Sequence, residues 1–395
     1  MDNEGNVNEQ YDMDNSASSW EGFRARYAVA DTEIALEVST TGKYVARKLR
    51  DMGFHTHMAD PSTLALIFRT AKKNDREDSY KLAKLLRLGE LPEVHLPSRS
   101  SDDLRSLTRY RRSIGNDITM IKNRIHALLS SYGMAIDATD IFGKKGIAQI
   151  HGASSMLSEP DRLILSSMLE RISVLRNHAA SVEDRFSAMV MGNAAVARIM
   201  TIPGLNVYSS SAIMAEIDDI SRFATKEKLA SYAGLVPRQD QSGNHDIKGH
   251  ISKHGPSMLR FILVNAAHVV IKYSRKMKSR YLSLVRRLGR NRAIVAIARI
   301  LLETIYTMLK KGEDFVDQID ALTERKMKSM KERAKNPSRI RNVEEAIRYI
   351  REERIKGPPK ELFSIEEEGL TKIFLYLHIT YIRGFPKTIH FSLIQ

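Results

Sequence analysis

The sequence predicts an α/β domain over its first hundred residues and a mainly helical remainder. Three observations carry this prediction. Short β-prone runs alternate with helical patterns as far as Leu96. Leu104–Tyr132 and Asp161–Met189 then each carry one apolar stripe at three- and four-residue steps. Beyond residue 195, strongly apolar helical segments flank a polar, cationic stretch. A chain of 395 residues has room for several cores. Four regions are expected: 1–100, 101–195, 196–315 and a charged, atypical 316–395.

Taken in order, Asn3-Glu4-Gly5-Asn6 is turn chemistry, with a strand expected over Val7–Met13. Ser16–Tyr27 can form a short helix, because Trp20, Phe23 and Tyr27 share one face. Glu33–Ser39 is a strand candidate. Gly42–Met52 is helical and stopped by Gly53. Phe54–Met58 is a further strand. Pro61 opens a helix in which Leu64, Leu66 and Ile67 are expected in the core. A last helix ends near Gly89, and Glu93–Leu96 is a short strand before Pro97.

Composition narrows the partners. A formal net charge of +15 and a pI near 9.7 favour a polyanion, nucleic acid before an anionic membrane. No cysteine is present, so disulfides, thiolate metal sites and cysteine nucleophiles are excluded. That composition fits a reducing cytoplasm. No apolar run reaches the ~18 residues of a membrane span; the longest, Ile373–Ile382, is interrupted by His378 and Thr380.

The chemistry of the first region is carboxylate. Glu37 lies at the end of an apolar strand, an awkward place for an unpaired charge. Asp75 and Asp78, three apart at a helix start, share a face. Such a set could bind divalent metal for phosphoryl transfer. From spacing alone the ordinary reading, acidic residues favouring a helix N-terminus, is the stronger. His55 and His57 share a strand face without a third ligand, which fits an edge-strand pair better than a metal site.

The two long helices, joined by residues 133–158, suggest an antiparallel helical hairpin or coiled coil. Its cations, Arg109, Arg111, Arg112, Lys122 and Arg124 among them, are either a solvated helix face or contacts to a nucleic-acid backbone. The global charge excess tips the reading to the second, with RNA as compatible as DNA. Further on, Ile202-Pro203-Gly204-Leu205-Asn206 joins two helical segments in the manner of a helix-hairpin-helix, whose amides can face a phosphate. Ser242 follows in a Gln-Ser-Gly-Asn stretch that reads as a mobile loop between helical segments, flanked by Lys248, Lys253 and Arg260. The helices expected around it are Ser209–Ile217, Lys226–Tyr232, Pro256–Tyr273 and Ala293–Leu309.

The order IPGLN, AEIDDISRF, KLASYAGLVP, QSGNHDIKGHISKHGPSMLR resembles the C-terminal domain of insertion-sequence-110 (116/902-type) transposases. EIALEVSTTGKY, ADPSTLALIF and KKNDREDSYKLAKLLRLGELPEVHLPS resemble that family's RuvC-like, ribonuclease-H-type domain. The likeness spans roughly residues 1–315. It implies a recombinase of a mobile element that uses a DEDD acidic set with Mg²⁺ and a serine. It further implies DNA and a structured, element-encoded guide RNA as partners, a homodimer or tetramer, and a cytoplasmic, nucleoid-associated location. By resemblance, Glu37 matches the family's strand glutamate, Asp75 and Asp78 its D-x-x-D motif, and Ser242 its serine. The family's first strand, which carries the first aspartate, has no counterpart here; Asp2 sits at the turn after it. A truncated RuvC-like domain is therefore expected, and the alternative function is a catalytically impaired protein that only binds DNA or RNA.

Overall fold

The structure, a computed structural model, describes residues 1–68, 75–134, 141–242, 245–335, 388–391 and 393–394; the side chains of residues 40, 75, 144, 153, 238–242, 245–249 and 388–394 are not among the described atoms. The charged helix expected over Val343–Glu353 and the apolar run Ile373–Ile382 lie outside the described residues. Two compact units divide the chain, Met1–Leu96 with Gly357–Gln395, and Pro97–Lys356.

The first unit contains β1 (Tyr11–Asp14), α1 (Ala17–Arg26), β2 (Glu33–Glu37), α2 (Thr40–Asp51), β3 (His55–Ala59), α3 (Pro61–Ile67) and α4 (Asp75–Arg87). Strands β2 and β3 are parallel, with Glu33 opposite His55 and Glu37 opposite Ala59. Parallel neighbours need a crossover, which α2 supplies. The Ser39 hydroxyl starts α2 by accepting from the Gly42 amide at 2.8 Å. Ile34, Ala35 and Leu36 are all buried, as expected of a strand covered on both faces. Trp20, Phe23 and Tyr27 are buried as their spacing predicts, and the Phe23 ring meets Phe54 edge-on at 5.5 Å. The C-terminal strands Thr388–Phe391 and Leu393–Ile394 pair antiparallel with β1 and β2 respectively.

Three expectations change here. The first strand covers Tyr11–Asp14, later than Val7–Met13. Leu66 and Ile67 are 69% and 48% exposed and Leu64 only half-buried, because α3 has seven residues and presents a single turn to the domain. The strand expected at Glu93–Leu96 shrinks to one bridge, Ala59 to Glu93. Pro92 and Pro97 remove ladder donors on either side. His57 stands at 2.5 Å from Glu93 and 3.7 Å from Glu33, an ion-pair setting on the edge strand.

The second unit begins with α5 (Arg99–Ser131), one uninterrupted helix despite Gly115. Helix α7 (Glu159–Met189) returns antiparallel to it, since Tyr132 contacts Asp161 while Arg111 contacts Glu183. The connector carries a helix of its own, α6 (Lys144–Ala153). Ile150, Phe142 and Leu157 bury against Ile121, Ile125 and Leu129 of α5. Then follow α8 (Ala194–Met200), α9 (Val207–Ile217), α10 (Lys226–Tyr232), β4 (Pro237–Ser242), β5 (His245–Ile251), α11 (Ser257–Tyr273), α12 (Arg275–Leu288), α13 (Arg290–Lys311) and α14 (Asp320–Ala334). Leu259, Leu263 and Ala267 of α11 and Ile297, Leu301 and Ile305 of α13 centre the core, with Ile213 and Leu229 packed on them. No helix among the described residues is long and apolar enough to cross a membrane.

Candidate active site

Ser242 does not lie in an open loop between helices. It is the last residue of β4 in an antiparallel hairpin, with His245 as its register partner. Gln241 pairs with Asp246, Asp240 with Ile247 and Gln239 with Lys248. The sequence held the signal: Gly243-Asn244, the two residues between the strands, are types that favour a hairpin. The ladder supplies the order that an apolar anchor would otherwise give. The side chains of Ser242 and Lys248 are outside the described atoms.

The base of the hairpin is held by close backbone contacts. Ser252 donates to the Val236 carbonyl at 2.9 Å, and the Lys253 amide to Gly234 at 3.2 Å. Lys253 is exposed and takes φ 54°, a left-handed conformation uncommon outside glycine. Arg260 donates through Nη1 to the carbonyls of Ala233 and Gly255, both at 3.0 Å. Burial lowers the pKa of its guanidinium from the ordinary value. Arg260, expected on nucleic acid, therefore closes the loop that carries the hairpin. Gly255 has φ +103°, and a Cβ there would stand 1.9 Å from the Tyr232 carbonyl oxygen. Gly255→Ala combines left-handed strain of about 1–2 kcal/mol with overpacking of about 1–3 kcal/mol. A urea melt should show a loss of roughly 2–5 kcal/mol, whereas a loss under about 0.5 kcal/mol would mean the loop adapts freely.

The IPGLN turn joins α8 to α9. Gly204 has φ +92°, and a Cβ there would meet Val269 Cβ of α11 at 2.7 Å. Asn206 and Ser209 form a reciprocal capping box, so the first amides of α9 are already satisfied inside the protein. Lys326 Nζ donates to the carbonyls of Met200 and Ile202 at 2.6 and 2.8 Å. Burial pushes its pKa down to about 8, which leaves it mainly cationic at neutral pH.

The AEIDDISRF segment is a structural lock that sequence reasoning did not assign. Glu216, with a side chain only 2% exposed, faces Arg105 at 3.3 Å and Arg109 at 2.8 Å. Asp218 accepts from the amide and hydroxyl of Ser98 at 3.0 and 2.7 Å, and so secures the start of α5. Arg222 lies over the rings of Phe223 and Tyr232 at 4.0 and 4.4 Å.

The cations expected on nucleic acid mostly have protein partners as well. Arg109 holds Glu216, and Arg111 holds Glu183 at 2.6 Å. Arg112 stands over Phe261 at 4.0 Å and Lys122 over Phe142 at 4.8 Å. Arg124 is exposed on α5.

In the first unit, Glu37 is exposed at the end of β2, and α4 packs against that strand. A Cβ on Gly42 would stand 2.4 Å from the Glu37 carbonyl oxygen, so this glycine lets α2 start close behind the glutamate. Asp78 is 41% exposed and 3.3 Å from Lys81. Asp75 opens α4, and its side chain is outside the described atoms. Among the described residues no group of three His, Cys, Asp or Glu side chains could hold a metal ion.

Both regions match known families. The family described as a DEDD transposase of the IS110 type matches residues 1–134, and the Transposase IS116/IS110/IS902 family matches residues 196–282. The chain belongs to the IS116/IS110/IS902 family of transposases. The transposase for insertion sequence element IS1111A of Coxiella burnetii is 25% identical over 294 residues, covering 71% of this chain and 79% of that protein. A probable family 20 transposase of Pseudomonas aeruginosa is 26% identical over 293 residues, 70% and 84% of the two chains. A pilin gene-inverting protein of Moraxella bovis is 31% identical over 125 residues, 31% and 38% of the two. The transposase thus acts on DNA, and Glu37, Asp75 and Asp78 fall within the first matched range, Ser242 within the second.

Proposed function

We propose that this transposase cuts and rejoins DNA through Ser242. The observation that carries the reading is the placement of Ser242 at the end of β4, opposite His245 and within the range matched by the transposase family. The Ser242 hydroxyl oxygen bonds to a phosphorus, and the bond from that phosphorus to a deoxyribose oxygen breaks. The freed deoxyribose hydroxyl takes up the proton. Attack of a DNA hydroxyl on the phosphoserine reverses the step without loss of bond energy. His245, the register partner of Ser242, is a residue type that can accept the serine proton near neutral pH. Lys253 and Lys248 bring positive charge to the same hairpin.

Glu37, Asp75 and Asp78 are the residues that would hold Mg²⁺. Their all-oxygen donor set suits a hard divalent cation, and Glu37 and Asp78 are both accessible. Bound there, Mg²⁺ would supply electrostatic stabilisation of phosphate charge. Guide RNA, an oligomer built through the arm helices, phosphate contacts by Arg124 and the Gly204 turn, and a nucleoid location belong to the same reading. They rest on the family resemblance and the charge excess.

The test is direct. The transposase is incubated with DNA carrying its element ends, denatured and digested. Mass spectrometry should find nucleotide esterified to the peptide containing Ser242. Nucleotide on any other side chain would overturn the assignment.

A further inference from the structure

We propose that the outer face of α12, continued by the first turn of α13, is a sequence-independent docking surface for the backbone of double-stranded DNA. The proposal rests on the transposase reading above for its partner and on charge and placement for its location. Between Asp246 and Glu303 the chain carries thirteen Lys and Arg and not one Asp or Glu. That single stretch nearly equals the net charge of the whole protein, +15.

Five of these cations form the surface. Arg275, Lys278, Arg286, Arg290 and Arg292 are all exposed, and among the described residues no ion pair within 4.0 Å engages them. Arg275 and Arg286 are eleven residues apart, three helical turns, so they fall on one line about 16 Å long. A duplex of that length carries roughly ten phosphate charges. At the corner, Gly289 ends α12 with φ +77° and begins α13 with no side-chain cap. The opening amides of α13 therefore follow closely on Arg286 and add the positive end of a 22-residue helix.

Not every cation of α12 belongs to the surface. Lys276 and Arg280 turn to another flank and line a groove shared with Glu303, Glu313 and Asp317, and Arg287, seven residues after Arg280, continues their row. The contrast separates two faces of one helix, one lined with carboxylates and one that none engages among the described residues. Within α12 the one aromatic ring, Tyr281, is half-buried against the core, and the exposed Tyr273 precedes the row at the end of α11. Single-stranded RNA is read by stacking on such rings, whereas a duplex backbone needs only cations. Arg286, Arg290 and Arg292 lie beyond the family-matched range, which ends at residue 282.

The experiment measures binding of the full chain to a 40-base-pair duplex of arbitrary sequence, by fluorescence anisotropy across a salt series. The double variant Arg275→Gln with Arg286→Gln should reduce the slope of log affinity against log salt by about 1.8, near 0.9 per lost phosphate contact. Its affinity should fall about 10- to 100-fold at low salt, equally for unrelated sequences. The variant Lys276→Gln with Arg280→Gln, equal in charge change, should leave the slope unaltered. Matching thermal melts of both variants would show that folding is intact. Equal slope changes in the two variants would mean total charge acts rather than this face, and overturn the proposal. So would an effect confined to a duplex RNA of the same length. If the wild-type chain bound no duplex DNA at any salt, the transposase reading would fail with it; duplex binding unchanged by loss of these cations would remove the docking surface alone.

Discussion

Replacing Ser242 with alanine is expected to abolish the covalent protein–DNA adduct and to lower strand exchange by ~10⁴-fold or more, the scale on which loss of a covalent nucleophile acts. The change removes one oxygen and no backbone donor, so the β4–β5 ladder, which pairs Ser242 with His245 through the main chain, should persist. DNA affinity should remain within about twofold, because no cation is lost. Denaturing gels for the adduct, a salt titration for binding and a thermal melt for folding check the three parts. An adduct that survives the substitution, with binding and folding intact, would sink the serine role.

Glu216→Gln should unfold the second unit more readily than any exposed charge change. Glu216 is almost fully buried and serves two guanidinia, Arg105 with a side chain 10% exposed and Arg109 with one 52% exposed. Arg105 also donates to the Ala215 carbonyl at 2.9 Å, so it cannot swing away to water without giving up that contact. Glutamine keeps the size but leaves two cations without a counter-charge. Breaking a buried pair from one side costs about 3–5 kcal/mol. Half of the cationic load is near solvent, which places the expectation near 3 kcal/mol. For a unit of this size that is a fall of roughly 6–12 °C in melting temperature. Arg109→Gln, at the exposed end of the same lock, should cost under about 1 kcal/mol. If the two variants melt alike, the burial of Glu216 is not what stabilises the contact between α5 and α9.

Much of the fold follows from local pattern. The Trp20, Phe23 and Tyr27 face, the strand at Glu33–Glu37 and the span of α5 could be read because period and capping residues agree there. The helix at Lys226–Tyr232 matched its pattern residue for residue. Leu66 and Ile67 were misplaced because an apolar side chain in a seven-residue helix has no period to reveal its face. The hairpin around Ser242 was missed although Gly243-Asn244 announced it, since its strands are polar and carry almost no hydrophobic alternation.

By itself the sequence determined the cationic excess, the absence of cysteine chemistry, the motif order that assigns the transposase family, and the candidate carboxylates and serine. These depend on residue identity and spacing, which folding does not alter. Only tertiary structure decided which charges are free. Arg109, Arg111 and Arg260 look like a nucleic-acid surface in the sequence, yet each is engaged by a carboxylate or carbonyl brought from another segment. Arg275 and Arg286 carry no mark in the sequence, yet stand exposed and without an ion pair among the described residues. A charge is available to a partner only if no opposite group folds onto it, and that depends on contacts across a hundred or more residues of chain, as between Arg109 and Glu216.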